Sequence, residues 1–84
     1  MVIDDEVDLV QLYKIVLKMA GFKVSGSTSG RKALSEIADY LPDLVLLDVM
    51  MPEINGIDVC QKIRDMDIEK QPVIFMYSAN DSVD

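Results

Sequence analysis

Two kinds of hydrophobic spacing alternate along the chain. Short unbroken apolar runs, Met1-Val2-Ile3, Leu44-Val45-Leu46-Leu47 and Val73-Ile74-Phe75-Met76-Tyr77, read as strands, the last two buried on both faces of a sheet. Between them apolar residues recur at helical spacing. Leu9, Leu12, Tyr13, Val16 and Ala20 mark the inner face of a first helix, with Asp8, Lys14 and Lys18 off that face, and Gly21 stops it. Phe22-Lys23-Val24-Ser25 alternates like a further strand. The loop Gly26-Ser27-Thr28-Ser29-Gly30 then offers a choice of N-cap for a second helix, whose buried face is Leu34, Ile37, Ala38 and Leu41. Pro42 ends that helix, and Asp43 leads into the strand over residues 44–48. Pro52-Glu53-Ile54-Asn55-Gly56 is turn chemistry; a third helix follows, with Val59, Cys60, Ile63 and Met66 inward and Lys62, Arg64 and Asp65 outward. A polar connector over residues 67–71 reaches Pro72, which opens the strand over residues 73–77.

Strands separated by helices of about ten or more residues form right-handed β-α-β units, in which the strands are parallel. The expected fold is therefore α/β, one open parallel sheet of four strands with three helices, and no repeat or inter-domain linker divides the chain. In such sheets the functional groups gather beyond the carboxyl ends of the strands, where the strand order reverses. Asp4, Asp5, Asp48 and Ser78 all fall at carboxyl ends of expected strands.

Composition narrows the function classes. With 84 residues the chain is one domain at most, and a domain of this size buries only about 60 to 65% of its unfolded surface. Half the residues are hydrophobic, which argues against intrinsic disorder. A net charge of −7 with no run of lysine or arginine argues against direct contact with nucleic acid or an anionic membrane, and favours cations and basic partner surfaces. The single cysteine, Cys60, excludes an internal disulfide and fits a reducing compartment, so the expected location is cytoplasmic. No apolar stretch approaches the roughly 20 residues that span a bilayer, and the start lacks signal-peptide order.

Three aspartates converging without histidine or thiolate offer hard oxygen ligands, which suit magnesium or manganese rather than zinc or copper. Without a cation, their mutual repulsion raises at least one pKa. An aspartate beside a divalent ion can also attack a phosphoryl group and carry it as an acyl phosphate, with Ser78 placed to donate a hydrogen bond to that phosphate. Each feature also has a plainer role. Acids ahead of a helix complement its dipole, a serine such as Ser78 caps helices, and Cys60 and the methionines at helical spacing fill a core.

The set Asp4-Asp5-Glu6 after a short strand, Asp48 followed by Met51-Pro52 and Gly56, and Tyr77-Ser78-Ala79 ending a strand resembles the response-regulator receiver domain of two-component signalling. Gly30-Arg31-Lys32-Ala33-Leu34 and Leu41-Pro42-Asp43-Leu44 extend the resemblance over residues 1–84. It implies a flavodoxin-like fold and a phosphorylation-controlled switch rather than an enzyme. By the family pattern Asp48 accepts the phosphoryl group from a sensor histidine kinase. Asp5 ligates magnesium, or manganese, beside Asp48 and the Met50 backbone carbonyl, and Asp4 completes the acidic pocket. Ser78 is the switch hydroxyl, with Pro52, Gly56 and Ala79 in the supporting loops. An output domain or a downstream protein receives the signal.

A complete receiver also has a fifth strand ending in lysine, flanked by two further helices; Asn80 to Asp84 can only begin the first of these helices, and nothing else in this sequence corresponds to them. The expectation is thus a receiver over residues 1–84 clipped at both ends, its first strand shortened to Met1-Val2-Ile3. If so, residues 73–77 form an exposed apolar edge and the first helix lacks a neighbour, which favours homodimers or exchange of elements between copies. Two other functions fit the residues. One is an unphosphorylated pseudo-receiver, or inert interaction fragment, consistent with the missing lysine. The other is a magnesium-dependent aspartyl-phosphate phosphohydrolase, which wants a second aspartate two residues after Asp48, where the chain has Met50.

Overall fold

A computed structural model of the chain describes residues 1–78; Ala79 and the expected start of a further helix at residues 80–84 lie outside the described residues. The elements run β1 (Val2–Ile3), α1 (Val7–Met19), β2 (Gly26–Ser27), α2 (Gly30–Tyr40), β3 (Leu44–Asp48), α3 (Gly56–Arg64) and β4 (Val73–Tyr77). All pairings are parallel, in the spatial order β2-β1-β3-β4. The chain thus steps from β1 outward to β2, then crosses back to β3 on the other side. The strand order reverses between β1 and β3, and there the acids leave the sheet.

Successive side chains of a strand point to opposite faces, so β1 sends Ile3 one way and Val2 the other. Ile3 joins Val45 and Leu47 of β3, Ala33 and Ile37 of α2, and Val59 and Ile63 of α3 in one buried cluster. Cys60 and Met66 pack against that cluster, as the helical spacing predicts. Val2 and Val10 of α1 are also buried but lie outside it, on the side where α1 packs against β1 and β2.

Four sequence-based assignments need correction. The second strand is not residues 22–25. Phe22 closes the end of α1 by donating its N–H to the Leu17 carbonyl at 3.0 Å, and β1 pairs instead with Gly26 and Ser27, inside the expected loop. Gly26 is needed there because a Cβ would stand 2.6 Å from Val10 Cγ1, so only a bare backbone lets α1 lie this close. In α1 the enclosed residue is Val10, and Leu12, Val16 and Ala20 are exposed, while the half-buried Lys14 runs its stem along Gly26. Apolar residues on nearly every side of α1 left its phase ambiguous. In α2 the inner face is Ala33 and Ile37, with Leu34 and Leu41 half-buried and Ala38 exposed. Finally, β3 and β4 are not enclosed on both faces. Val45 and Leu47 are buried but Leu44 is exposed and Leu46 half-buried, and in β4 Val73 and Phe75 are 65% and 61% exposed. Among the described residues β4 is an edge strand.

The helix ends follow the sequence closely. Leu41, in the left-handed region at φ 49°, ends α2 ahead of the buried Pro42. Ser29 caps α2, its hydroxyl oxygen accepting the Lys32 N–H at 3.2 Å, and Asn55 caps α3 by accepting the Ile57 N–H at 2.7 Å. Replacing Ser29 by alanine is expected to cost about 1 kcal/mol. In a domain of this size that is about 4–8 °C in Tm, which a thermal melt reads directly.

Candidate functional site

The tips of β1 and β3 bring Asp4, Asp5 and Asp48 together, one carboxylate oxygen from each lying within 4.8 Å of the others. Asp4 is fully enclosed and Asp48 is 2% exposed, whereas Asp5 is open to solvent. The backbone fixes the two buried acids. Asp4 Oδ1 accepts the Glu6 N–H at 2.9 Å, in the turn that starts α1, and Asp48 Oδ1 accepts the Met50 N–H at 3.0 Å. Both acids therefore have one oxygen anchored and one turned to other work.

Burial pushes the Asp48 carboxyl above its ordinary pKa of 3.8. The Met50 N–H pulls it back in part, while the charges of Asp4 and Asp5 raise it further. The pocket therefore favours anything that brings positive charge. Hard oxygen donors at this spacing fit magnesium or manganese, with Asp5 as the accessible ligand and Asp48 beside it.

Gly56 sets the floor of the loop. Its N–H donates to the Val49 carbonyl at 2.9 Å, and a Cβ there would lie 2.3 Å from the Asp48 carbonyl oxygen. The loop can fold back under Asp48 only because residue 56 has no side chain. Pro52 is exposed at the turn, and Glu53 accepts a hydrogen bond from the Ser29 hydroxyl at 3.2 Å, tying the loop to the start of α2. Met50 is 55% exposed. Ser78 follows β4 at the same edge of the sheet and is exposed.

Tyr77 belongs to the site although the sequence marks it only as the last residue of an apolar strand. Its hydroxyl donates to Asp4 Oδ2, and its ring meets Tyr13 of α1 edge-on, centroids 5.9 Å apart at 77°. Burial and the Asp4 carboxylate hold the phenol protonated far above its usual range. A polar-tipped aromatic at a strand end next to acidic strand tips was the available signal. An apolar groove of about 480 Å³ between Phe22, Tyr40, Leu44 and Leu46 opens at the other end of the strands and contains none of the three acids.

A family model for the response regulator receiver domain matches residues 1–84. The chain belongs to the response regulator receiver domain family. It is 39% identical over 85 aligned positions to the DNA-binding response regulator MtrA of Mycobacterium tuberculosis, a match covering all of this chain and 36% of MtrA. The receiver thus spans about a third of the curated relative. Among solved structures it resembles a CheY-like receiver domain protein of Methanospirillum hungatei JF-1, with a TM-score of 0.86, 31% identity, and coverage of 100% of this chain and 67% of that one. The response regulator TrrA of Thermotoga maritima, solved in complex with Mg2+-BeF, matches with a TM-score of 0.84 at 32% identity, covering 95% of this chain and 68% of TrrA.

The receiver fold is flavodoxin-like, and among the described residues the four parallel strands and three helices match the number and order expected from the sequence, with the second strand shifted to Gly26–Ser27. Two-component signalling is the functional class, and the role of such domains is regulatory. Receiver domains bind Mg2+ at an acidic pocket, and the Asp4, Asp5 and Asp48 cluster is of that kind. Among the described residues no helix is long and apolar enough to cross a membrane.

Proposed function

We propose that residues 1–84 act as a magnesium-dependent phosphoacceptor switch, phosphorylated on Asp48 by a sensor histidine kinase and controlling an output domain or a downstream protein. The observation that carries this reading is the buried Asp48 carboxylate at the tip of β3, within 4.8 Å of Asp4 and Asp5, in a receiver matched over residues 1–84. The relative MtrA is named as DNA-binding, so a DNA-binding output is the first candidate for what this receiver controls.

A bound magnesium ion supplies charge neutralisation for the phosphoryl oxygens. Asp5, Asp48 and the Met50 carbonyl would hold it, with Asp4 adding charge to the pocket. The chain's own residues do the rest. The Met50 N–H fixes one oxygen of Asp48, which leaves the other to attack phosphorus. An O–P bond forms as the P–N bond of the phosphohistidine breaks, and the bonding pair stays on the imidazole nitrogen. Ser78, directly after β4, would donate its hydroxyl to the new phosphate, and its turn toward the phosphate would carry the change to the partner surface.

The test uses acetyl phosphate and Mg2+ with intact-mass analysis. The protein is expected to gain one phosphate, labile as an acyl phosphate, which peptide mapping places on Asp48. An unchanged mass would leave the acid cluster as part of an unphosphorylated interaction surface.

A further inference from the structure

A carboxylate taken fully out of water needs a donor for each oxygen, and Asp4 has one from each side. Its Oδ1 takes the Glu6 N–H of its own loop at 2.9 Å, and its Oδ2 takes the Tyr77 hydroxyl. The second donor comes from far away in the sheet. The order β2-β1-β3-β4 puts β3 between Asp4 and Tyr77, so their strands are two spacings apart, about 9–10 Å. Only a long side chain crosses that gap, and the edge-on contact with Tyr13 braces the ring while it does so.

The hydroxyl also has an electrical effect. It turns the positive end of an O–H dipole into a pocket of three carboxylates and takes up electron density from one of them. That offsets part of the pocket's negative charge in the absence of any ion. A cation then gains less by entering, and a phosphoryl group, itself anionic, meets less repulsion beside Asp48.

Taking the phosphoacceptor reading as its basis, we propose that Tyr77 is a positioning residue of this receiver: its hydroxyl fixes Asp4 and trades cation affinity for easier acceptance of the phosphoryl group at Asp48. A tyrosine that merely fills space predicts no such trade. Two variants of the whole protein separate the roles. Tyr77→Phe keeps the ring and removes the hydroxyl, and Tyr77→Leu removes both.

Mn2+ affinity is read from the loss of the free-ion electron paramagnetic resonance signal, and the rate of phosphate gain from acetyl phosphate is read at saturating Mg2+. A typical net hydrogen-bond contribution corresponds to roughly a threefold to tenfold change. Tyr77→Phe is expected to bind Mn2+ tighter by about that factor and to gain phosphate more slowly by a similar one, and Tyr77→Leu to show the same split. Unchanged Mn2+ affinity in Tyr77→Phe overturns the proposal, as does a fall in affinity and rate together. A parent protein that binds no Mn2+ overturns it as well. If the parent binds Mn2+ but gains no phosphate, the phosphoacceptor reading fails by itself. Tyr77 is then judged on the Mn2+ arm alone, where tightening supports its positioning role and no change overturns it.

Discussion

An Asp48→Asn variant is expected to gain no phosphate and, with divalent cations chelated, to be more stable than the parent protein. The first half follows from the chemistry, since an amide is no nucleophile toward phosphorus. The second half follows from the electrostatics. Asp48 is buried beside two other acids, and its carboxyl is pushed above 3.8 chiefly by burial. Two unit charges about 4 Å apart interact by about 4 kcal/mol at an effective dielectric constant near 20. Removing one charge from the cluster while keeping an oxygen for the Met50 N–H is therefore expected to add about 1–2 kcal/mol.

The pH dependence has a definite sign. Because the folded state holds the Asp48 proton more tightly than the unfolded chain, the Asp48 contribution to metal-free stability falls as pH rises from 3.8 through the raised folded-state value. Urea titrations in chelator across that window are expected to show the fall in the parent and a flatter profile in Asp48→Asn. Magnesium is expected to reverse the order, since a ligand at about 100 times its Kd adds about 2.7 kcal/mol to the form that binds it. A variant that is destabilised in chelator would sink the account of Asp48 as a strained carboxylate.

The fold and the acid cluster were legible for the same reason. Unbroken apolar runs ending in aspartate fix both where a strand stops and what it delivers, and the alternation with helices fixes parallel pairing. Asp4, Asp5 and Asp48 needed nothing more. What escaped depends on packing between elements. Gly26 and Ser27 look like loop until α1 lies against them, and α1, apolar on most sides, gives no unique inner face until β1 and β2 choose Val10. Tyr77 escaped because its partner is 73 positions away in sequence, and a residue counted as strand filler shows its hydroxyl's role only once β3 has been placed between them.

Replacing Gly56 by alanine is expected to damage stability and phosphate acceptance together, and by more than the same change at Gly26 or Gly30. A Cβ at residue 56 would stand 2.3 Å from the Asp48 carbonyl oxygen, 2.7 Å from Val49 Cα and 3.0 Å from the Asp48 carbonyl carbon. All three are backbone atoms, so no rotamer change relieves the overlap. The loop after β3 has to move, and Asp48 moves with it. Overpacking costs about 1–3 kcal/mol where side chains can yield, and a clash with backbone belongs at or beyond the top of that range. About 3 kcal/mol is a large share of the roughly 4–13 kcal/mol available to a domain of this size, and lowers Tm by about 12–24 °C. If Asp48 is the phosphoacceptor, as proposed, displacing it by about 1 Å is expected to slow phosphate gain about a hundredfold in the fraction that still folds. Gly30→Ala is the matched comparison. Its nearest contacts are side-chain atoms, Ile54 Cγ2 at 2.6 Å, Val59 Cγ2 at 3.0 Å and Met51 Cε at 3.3 Å; only the Met51 end is flexible, so its cost is expected at about 1–3 kcal/mol, with phosphate gain largely kept because none of these contacts involves Asp48. Equal effects at the two glycines, read by urea titration and intact mass, would show that the close approach of Gly56 to Asp48 does not set the geometry of the phosphoacceptor.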